Sequence, residues 1–385
     1  MDPEIKDVYE ELRPYRDEEI PAAMQRLADY GMLKDICDYT FPDIGLDEIR
    51  TAILSSNTSD EFQVAFGLPL LKRIIDTTMS AFTYGGVGNI KRSEGHLYMS
   101  NHRDIVLDGA LLQYVLYDNG ITTTEITFGS NLISPGFIED FGRSNKMFKI
   151  VRGGSNRDLV QNSQILSAHL HEVINKNRSI WISQRDGRTK DGNDRTDQGL
   201  VKMLTMDGTD STIFESLSHL NIIPFAISYE YESCDALKAR EIYISRRGAY
   251  VKQPGEDLKS ILTGVQQYKG EVHLELCEPV TAAEISDLEG ENNNETLRNM
   301  AALIDRRIIS AYKLYGTNYI AYDIRKGTSE FSGKYTTAQR EEFTAYLKKQ
   351  ASAIEGDQDE IFDILLDIYA APVVNKLELH NTARL

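Results

Sequence analysis

Hydrophobic positions along the chain change their period twice. Between residues 17 and 30, Ile20, Met24, Leu27 and Tyr30 recur at helical spacing, and 46–54 gives a second short helix. Ser59 can cap a longer helix with apolar positions at Phe62, Ala65, Leu68, Leu71, Ile75 and Met79, which Pro69 should kink or split. Residues 1–82 therefore read as a helical bundle with no strand signal. Short apolar or β-prone runs then follow at 96–100, 125–129, 148–151, 179–183, 221–229 and 272–276. Helical segments lie between several of them, at 105–117, 159–175 and 196–206. Strands alternating with helices predict an α/β domain over 83–290, with a mixed, partly parallel sheet flanked by helices. The polar, Asn-rich stretch 289–296 reads as a surface connection. Residues 291–385 read as a helical C-terminal extension, with helices at 294–315, 337–353 and 359–369 and a loop at 317–335 rich in Gly, Tyr and Lys. The chain has no internal repeat.

Composition narrows the class. The chain has 385 residues, 41% of them hydrophobic, enough to bury the core of two or three domains. No stretch approaches the roughly 18 uncharged apolar residues that a membrane span requires. The start, Met1-Asp2-Pro3-Glu4, lacks the apolar run of a secretory signal. Cys37, Cys234 and Cys277 are scattered and form no CxxC pair, so a cytoplasmic location is expected. The net charge of −17 argues against nucleic acid as a partner. The charge is uneven: residues 143–202 hold twelve Lys/Arg against six Asp/Glu. Such a basic section suits a small anionic substrate or an anionic membrane patch, although a solvated face gives the same count.

Four clusters carry candidate chemistry. The first, Ser100-Asn101-His102-Arg103-Asp104-Ile105-Val106-Leu107-Asp108, follows a strand and opens a helix. Asp104 or Asp108 could accept the His102 Nδ1–H and leave Nε2 free to take a hydroxyl proton. Asp104 is the better helix cap, so Asp108 is the favoured partner. Backbone N–H groups at the helix start could hold an oxyanion. The bland alternative is a cap, a first-turn acid and a polar junction histidine. The second cluster, Phe148-Lys149-Ile150-Val151-Arg152-Gly153-Gly154, ends a strand in an arginine able to grip an anion, or to pair with a surface acid. The third, Ile180-Trp181-Ile182-Ser183-Gln184-Arg185-Asp186-Gly187-Arg188-Thr189-Lys190, runs from an apolar strand into a tight turn. Its three cations converge on an anion or form a basic loop. The fourth, Ile222-Ile223-Pro224-Phe225-Ala226-Ile227-Ser228-Tyr229-Glu230, reads as a core strand. There is no GxSxG, CxxC or HExxH motif.

Taken in order, these clusters resemble the phospholipid-synthesis acyltransferase family, which includes glycerol-3-phosphate and 1-acylglycerol-3-phosphate acyltransferases. The resemblance runs from about Tyr98 to Glu230. Two departures stand out. Five residues separate His102 from Asp108 where the family has four, and Asp186 stands where the family has Glu. The resemblance implies acyl transfer from coenzyme A or acyl-carrier protein, as co-substrate, onto a hydroxyl of a phosphorylated glycerol. His102 would be the general base, partnered by Asp108 or Asp104. Arg103, Arg152, Asp186, Gly187, Arg188, Thr189 and Lys190 would form the substrate-binding side. No metal or other cofactor is implied. A lipid product implies peripheral contact with the inner face of the membrane, through the basic 143–202 section. Two other readings are compatible: an O-acyltransferase with another acceptor, such as an N-acyl amino acid, and a non-catalytic relative that binds lipid or carrier protein.

Overall fold

The computed structural model describes residues 3–133, 135–151 and 153–382. Among the described residues seven strands form one sheet: β1 (Met79–Gly85), β2 (Leu97–Ser100), β3 (Glu125–Gly129), β4 (Met147–Ile150), β5 (Ile180–Ser183), β6 (Ile223–Tyr229) and β7 (Gly270–Leu276). Their order is β1-β7-β6-β2-β5-β3-β4. Only the β6–β7 pairing is antiparallel, so β2 to β6 run one way and β1 and β7 the other. Alternate residues of the central strands enter different cores. Leu97, Met99, Ile180 and Ile182 face one side, while Tyr98, Trp181, Ile223 and Phe225 face the other. Helices Asn156–Asn175 and Asn293–Ala311 cover the first side; Leu68–Thr78 and Leu107–Asp118 cover the second. Burial on both faces is why these strands read as continuous apolar runs.

The N-terminal helices Ile20–Asp29, Met32–Thr40 and Leu46–Leu54 pack around Met24, Leu27, Ile53, Phe62 and Phe66. The expected long helix is split, as Pro69 required. A π-helical turn, Gln63–Gly67, separates Ser59–Phe62 from Leu68–Thr78. Pro69 sits in the first turn of the last segment, where a missing N–H is tolerated. The expectation of helix to Met79 with no strand before 83 is corrected: the chain turns extended at Met79 and pairs with β7 at the sheet edge.

The C-terminal helices differ more from expectation. Residues 317–326, expected within a loop, belong to the helix Gly316–Lys326, which buries Ile320 and Ala321 in one core with Ile361 and Leu365. Its tyrosines and terminal Gly and Lys disguised the pattern. The true loop follows it, tied by Asp323, which accepts bonds from Thr328 Oγ1, Phe331 N–H and Tyr335 O–H at 2.7–3.0 Å. The helix expected at 359–369 runs as Gln358–Thr382, through Pro372. The helix expected at 196–206 shortens to Gln198–Met203, because the Asp197 carboxylate caps it and Asp305 holds Thr196 outside it. Helix Asp235–Ser245 escaped detection because it buries Asp235 and Lys238 as well as Ala239, which erases an apolar stripe.

Gly86 ends β1 in the left-handed region at φ +73°, and a Cβ there would collide with the Leu276 carbonyl of β7. Gly86→Ala should cost about 1–3 kcal/mol of stability. Denaturant unfolding should show a lower midpoint with an unchanged slope; an unchanged midpoint would mean that the β1 edge carries little of the fold.

Candidate active site

The carboxyl ends of parallel strands are where the chain turns to enter the covering helices, and side chains from several strands meet there. β2 ends at Ser100, and residues 101–106 cross to the helix Leu107–Asp118 without being helical themselves. That irregular crossing, which turns at Ile105 and Val106, lets Asp108, in the first helical turn, reach back. Its Oδ2 lies 2.9 Å from His102 Nδ1 and accepts the N–H groups of Arg103 and Asp104 at 2.6 and 2.9 Å. Its Oδ1 accepts the Tyr229 O–H from the end of β6 at 2.8 Å. Asp108 is 0% exposed and His102 8%. A carboxylate can only accept here, so Nδ1 carries the proton and Nε2 is left as the basic nitrogen. The Trp181 ring stands edge-on to His102 at 6.0 Å between centroids. Its indole N–H is fixed on Ser100 Oγ at 3.0 Å.

Asp104 does a different job. Its Oδ1 accepts the Val106 and Leu107 N–H groups, both at 2.9 Å, and its Oδ2 accepts the Ser233 hydroxyl. Burial pushes its pKa up, but the bonds from Ser233, Leu107 and Val106, with the nearby Arg188 charge, hold it below the usual carboxylate value. The two aspartates together occupy the N–H groups of Arg103, Asp104, Val106 and Leu107. Those four amides are therefore unavailable to an oxyanion.

His102 opens into a cavity of about 290 Å³. Ile105, Phe128, Leu132, Ile150 and Trp181 give it an apolar side; Ser183, Arg185, Asp186, Gly187, Arg188 and Lys190 give it a polar one. The turn at Gly187, φ +71°, presents that polar side. The Thr189 N–H donates to the His102 carbonyl at 2.9 Å, which pins the loop after β5 to the histidine. Thr189 itself is buried behind the cavity and bonds to Asp191. Lys190 pairs with Glu241, and burial, then Arg188, lowers its pKa. Arg188 is 9% exposed, and its Nη1 is buried with no hydrogen-bond partner among the described residues. A buried guanidinium nitrogen left unpaired is costly, so the position suits an incoming anion.

Two candidate residues are not brought to this cavity. Arg103 does not line it: its Nε and Nη2 donate to Asp194 at 3.0 and 2.6 Å, its Nη2 also to the Gly192 carbonyl at 3.2 Å, and its Nη1 to Glu232 at 3.2 Å. Arg152 lies outside the described residues. Periodicity and motif reading missed Glu241, Lys252 and Asp257 in the lining, and gave Tyr229 no role beyond its strand. Among the described residues no group of three or more His, Cys, Asp or Glu is placed to hold a metal ion. A larger cavity, about 670 Å³, lies by Glu125 and Ser179 at the opposite strand ends. Its two histidines are both engaged at both ring nitrogens: His169 with Glu125 at 2.6 Å and Tyr9 at 3.1 Å, His96 with the carbonyls of Asn221 at 3.3 Å and Lys91 at 3.0 Å.

Residues 81–228 match the family model described as Acyltransferase, a stretch that spans all four sequence clusters up to Ser228. Glycerol-3-phosphate acyltransferases are similar to this chain. That of Pseudomonas fluorescens strain Pf0-1 is 27% identical over 229 residues, 56% of this chain and 26% of that protein. That of Pseudomonas syringae pv. tomato strain DC3000 is 27% identical over 203 residues, 52% of this chain and 23% of that protein. The chain thus spans about a quarter of the length of the curated relatives it matches. The crystal structure of the 1-acyl-sn-glycerophosphate acyltransferase PlsC from Thermotoga maritima aligns over 75% of this chain and 94% of that one, with 11% identity and a TM-score of 0.37.

The two aspartates should respond differently to amidation. Asp108→Asn should lower turnover by about 10⁴-fold, because an amide can donate to Nδ1 and favour the wrong tautomer. Asp104→Asn should keep most of the rate, since Asn also caps a helix. Asp104 has a depressed pKa, so its stabilising contribution is present above the ordinary carboxylate value of 3.8 and is lost as pH falls below it. The stability gap between wild type and Asp104→Asn should therefore narrow in acid, as measured by denaturant unfolding at stepped pH. A gap that widened in acid would contradict this assignment.

Proposed function

We propose that this chain is an acyltransferase that moves a fatty acyl group from acyl-CoA or acyl-carrier protein to a hydroxyl of glycerol-3-phosphate or 1-acylglycerol-3-phosphate. The observation that carries the proposal is a single cavity. It joins His102, oriented by the buried Asp108, to Arg188, whose buried Nη1 lacks a partner. The Acyltransferase match over 81–228 and the names of the similar proteins support the reaction type and the phosphorylated acceptor. In this reading Arg188 takes the acceptor phosphate, with Lys190, Asp186 and Gly187 shaping its seat. His102 Nε2 removes the acceptor hydroxyl proton as the oxygen attacks the thioester carbonyl. The tetrahedral intermediate collapses by breaking the C–S bond, and the imidazolium returns the proton to the leaving thiolate. Ester and free thiol result, with no acyl-enzyme and no cofactor. The apolar side, Ile105, Phe128, Leu132 and Trp181, receives the acyl chain next to the carbonyl.

Purified protein incubated with acyl-CoA or acyl-carrier protein and a panel of acceptors, with products identified by mass spectrometry, tests the reading. Acylated glycerol phosphates should appear, and His102→Ala should lower the rate by about 10²–10⁴-fold. Arg188→Ala should raise the acceptor KM by roughly tenfold or more and leave the donor KM nearly unchanged. Equal turnover of acceptors with and without phosphate would remove glycerol phosphate from the proposal and favour another hydroxyl acceptor.

We also propose that the chain works at the cytoplasmic membrane surface. No described helix is long and apolar enough to cross a membrane. Of the basic 143–202 section, Lys146, Lys149, Lys176, Arg178, Lys190 and Arg195 each pair with a carboxylate. That leaves contact with anionic headgroups to cations such as Arg157 and Lys202. Flotation with anionic-lipid vesicles should show binding at 0.1 M salt that fades by 1 M, as the Debye length falls from about 10 to about 3 Å. Binding that survived 1 M salt would contradict an electrostatic contact.

A further inference from the structure

We infer that Tyr229 is a positioning residue for the His102–Asp108 pair, an assignment that rests on the acyl-transfer reading of this site. Asp108 holds His102 through one carboxylate oxygen only. Oδ2 receives the His102 Nδ1–H and two backbone amides, while Oδ1 receives nothing but the Tyr229 hydroxyl among the described residues. Tyr229 closes β6, two positions beyond Ile227, whose N–H and C=O are both bonded to the Asn101 side chain. The phenol is thus carried on the strand that is sewn to the residue preceding His102. Its ring is buried in the same core as Leu107 and Leu111 of the helix that bears Asp108. Burial, then the Asp108 charge, raises the phenol pKa well above its ordinary value, so the hydroxyl keeps its proton and serves as donor.

The hydroxyl has two effects on the pair. It fixes the plane of the carboxylate, so that Oδ2, already held by two amides, meets the His102 Nδ1–H along one direction. It also draws negative charge toward Oδ1, which moderates the pull of Asp108 on the imidazole proton. Removing it leaves a buried acceptor unsatisfied and a carboxylate that stabilises the imidazolium more strongly. His102 must be neutral to act as base, so the acid limb of the rate profile should then move to higher pH. The charged groups around the pair are Asp104 on its own turn, Arg185, Asp186, Arg188 and Lys190 from the loop after β5, Glu232 beyond β6, Glu241 from helix Asp235–Ser245, Lys252 from the loop before helix Glu256–Gln266 and Asp257 in that helix's first turn. All remain in place in a Tyr229 variant, so a displaced limb reports the bond to Asp108.

The test is a pH profile of kcat/KM for wild type and Tyr229→Phe. The variant should lose about 10- to 100-fold in kcat, the effect of one hydrogen bond to a charged group, with both KM values within about twofold. Its acid limb should move up by about one pH unit. The loss should vanish in an Asp108→Asn background, since the two residues act as a unit. Fluorotyrosine at position 229, a stronger donor, should move the limb the opposite way, and keeps the test available should the phenylalanine variant fail to fold. An unmoved limb in a folded variant overturns the assignment, as does a loss confined to KM. Wild-type protein without acyl transfer would defeat the reaction proposed for the site. In that case the His102 titration, followed by imidazole ¹⁵N resonances, still decides the role of Tyr229 by the same predicted upward shift.

Discussion

A carboxylate with no solvent exposure is tolerated only where hydrogen bonds replace its water, and the organisation of this site follows from how Asp108 meets that demand. Its donors are the His102 ring, two successive amides of the crossing after β2, and a phenol from β6. Satisfying them requires β2 and β6 to be neighbours, the crossing to stay non-helical, and the helix Leu107–Asp118 to begin where Asp108 can face backward. Asp104 enforces the last condition by capping Val106 and Leu107. One buried charge thus fixes tautomer, loop conformation and helix start together, and one additional residue between histidine and aspartate is absorbed by the irregular crossing.

Behind the histidine lies a second buried charge assembly. Arg103 pairs with Asp194 and Glu232, and Lys238 joins Glu232 at 2.6 Å and the Arg103 carbonyl at 2.7 Å. Tyr312, beyond the helix Asn293–Ala311, donates to Asp194, and Tyr369 accepts the Glu232 N–H. The C-terminal segments are therefore linked, through Asp194 and Glu232, to the side chain of Arg103 next to His102. Burial pushes the Glu232 pKa up, but Lys238 and Arg103 outweigh it and hold the carboxyl below its ordinary value. Such an assembly specifies one arrangement more than it adds stability, because desolvation offsets much of the attraction.

The central sheet and the pairing of His102 with a nearby aspartate were legible because both are local patterns: apolar runs bounded by turns, and an acid in a helix's first turn. The separation of duties between Asp104 and Asp108 followed from capping geometry. Tyr229 was not legible as a partner, because it approaches Asp108 from 121 residues away. Arg103 misled for the same reason: adjacency to His102 says nothing about direction, and Asp194 and Glu232 draw it to the other side. Helix Gly316–Lys326 and strand β1 were hidden because tyrosines and edge positions do not show a clean apolar period. Four amides of the crossing and the helix start, those of Arg103, Asp104, Val106 and Leu107, are taken by two carboxylates whose targets no periodicity reveals.

The central claim is that Asp108 holds His102 as the Nδ1–H tautomer with a bare Nε2 facing the cavity. Histidine ¹⁵N resonances of the labelled protein, assigned by loss in His102→Ala, read this state directly. The account predicts that above the titration of His102, Nδ1 is protonated and Nε2 is not, and that Asp108→Asn changes this ratio. A dominant Nε2–H tautomer in the wild type, or a ratio unmoved by Asp108→Asn, would contradict it.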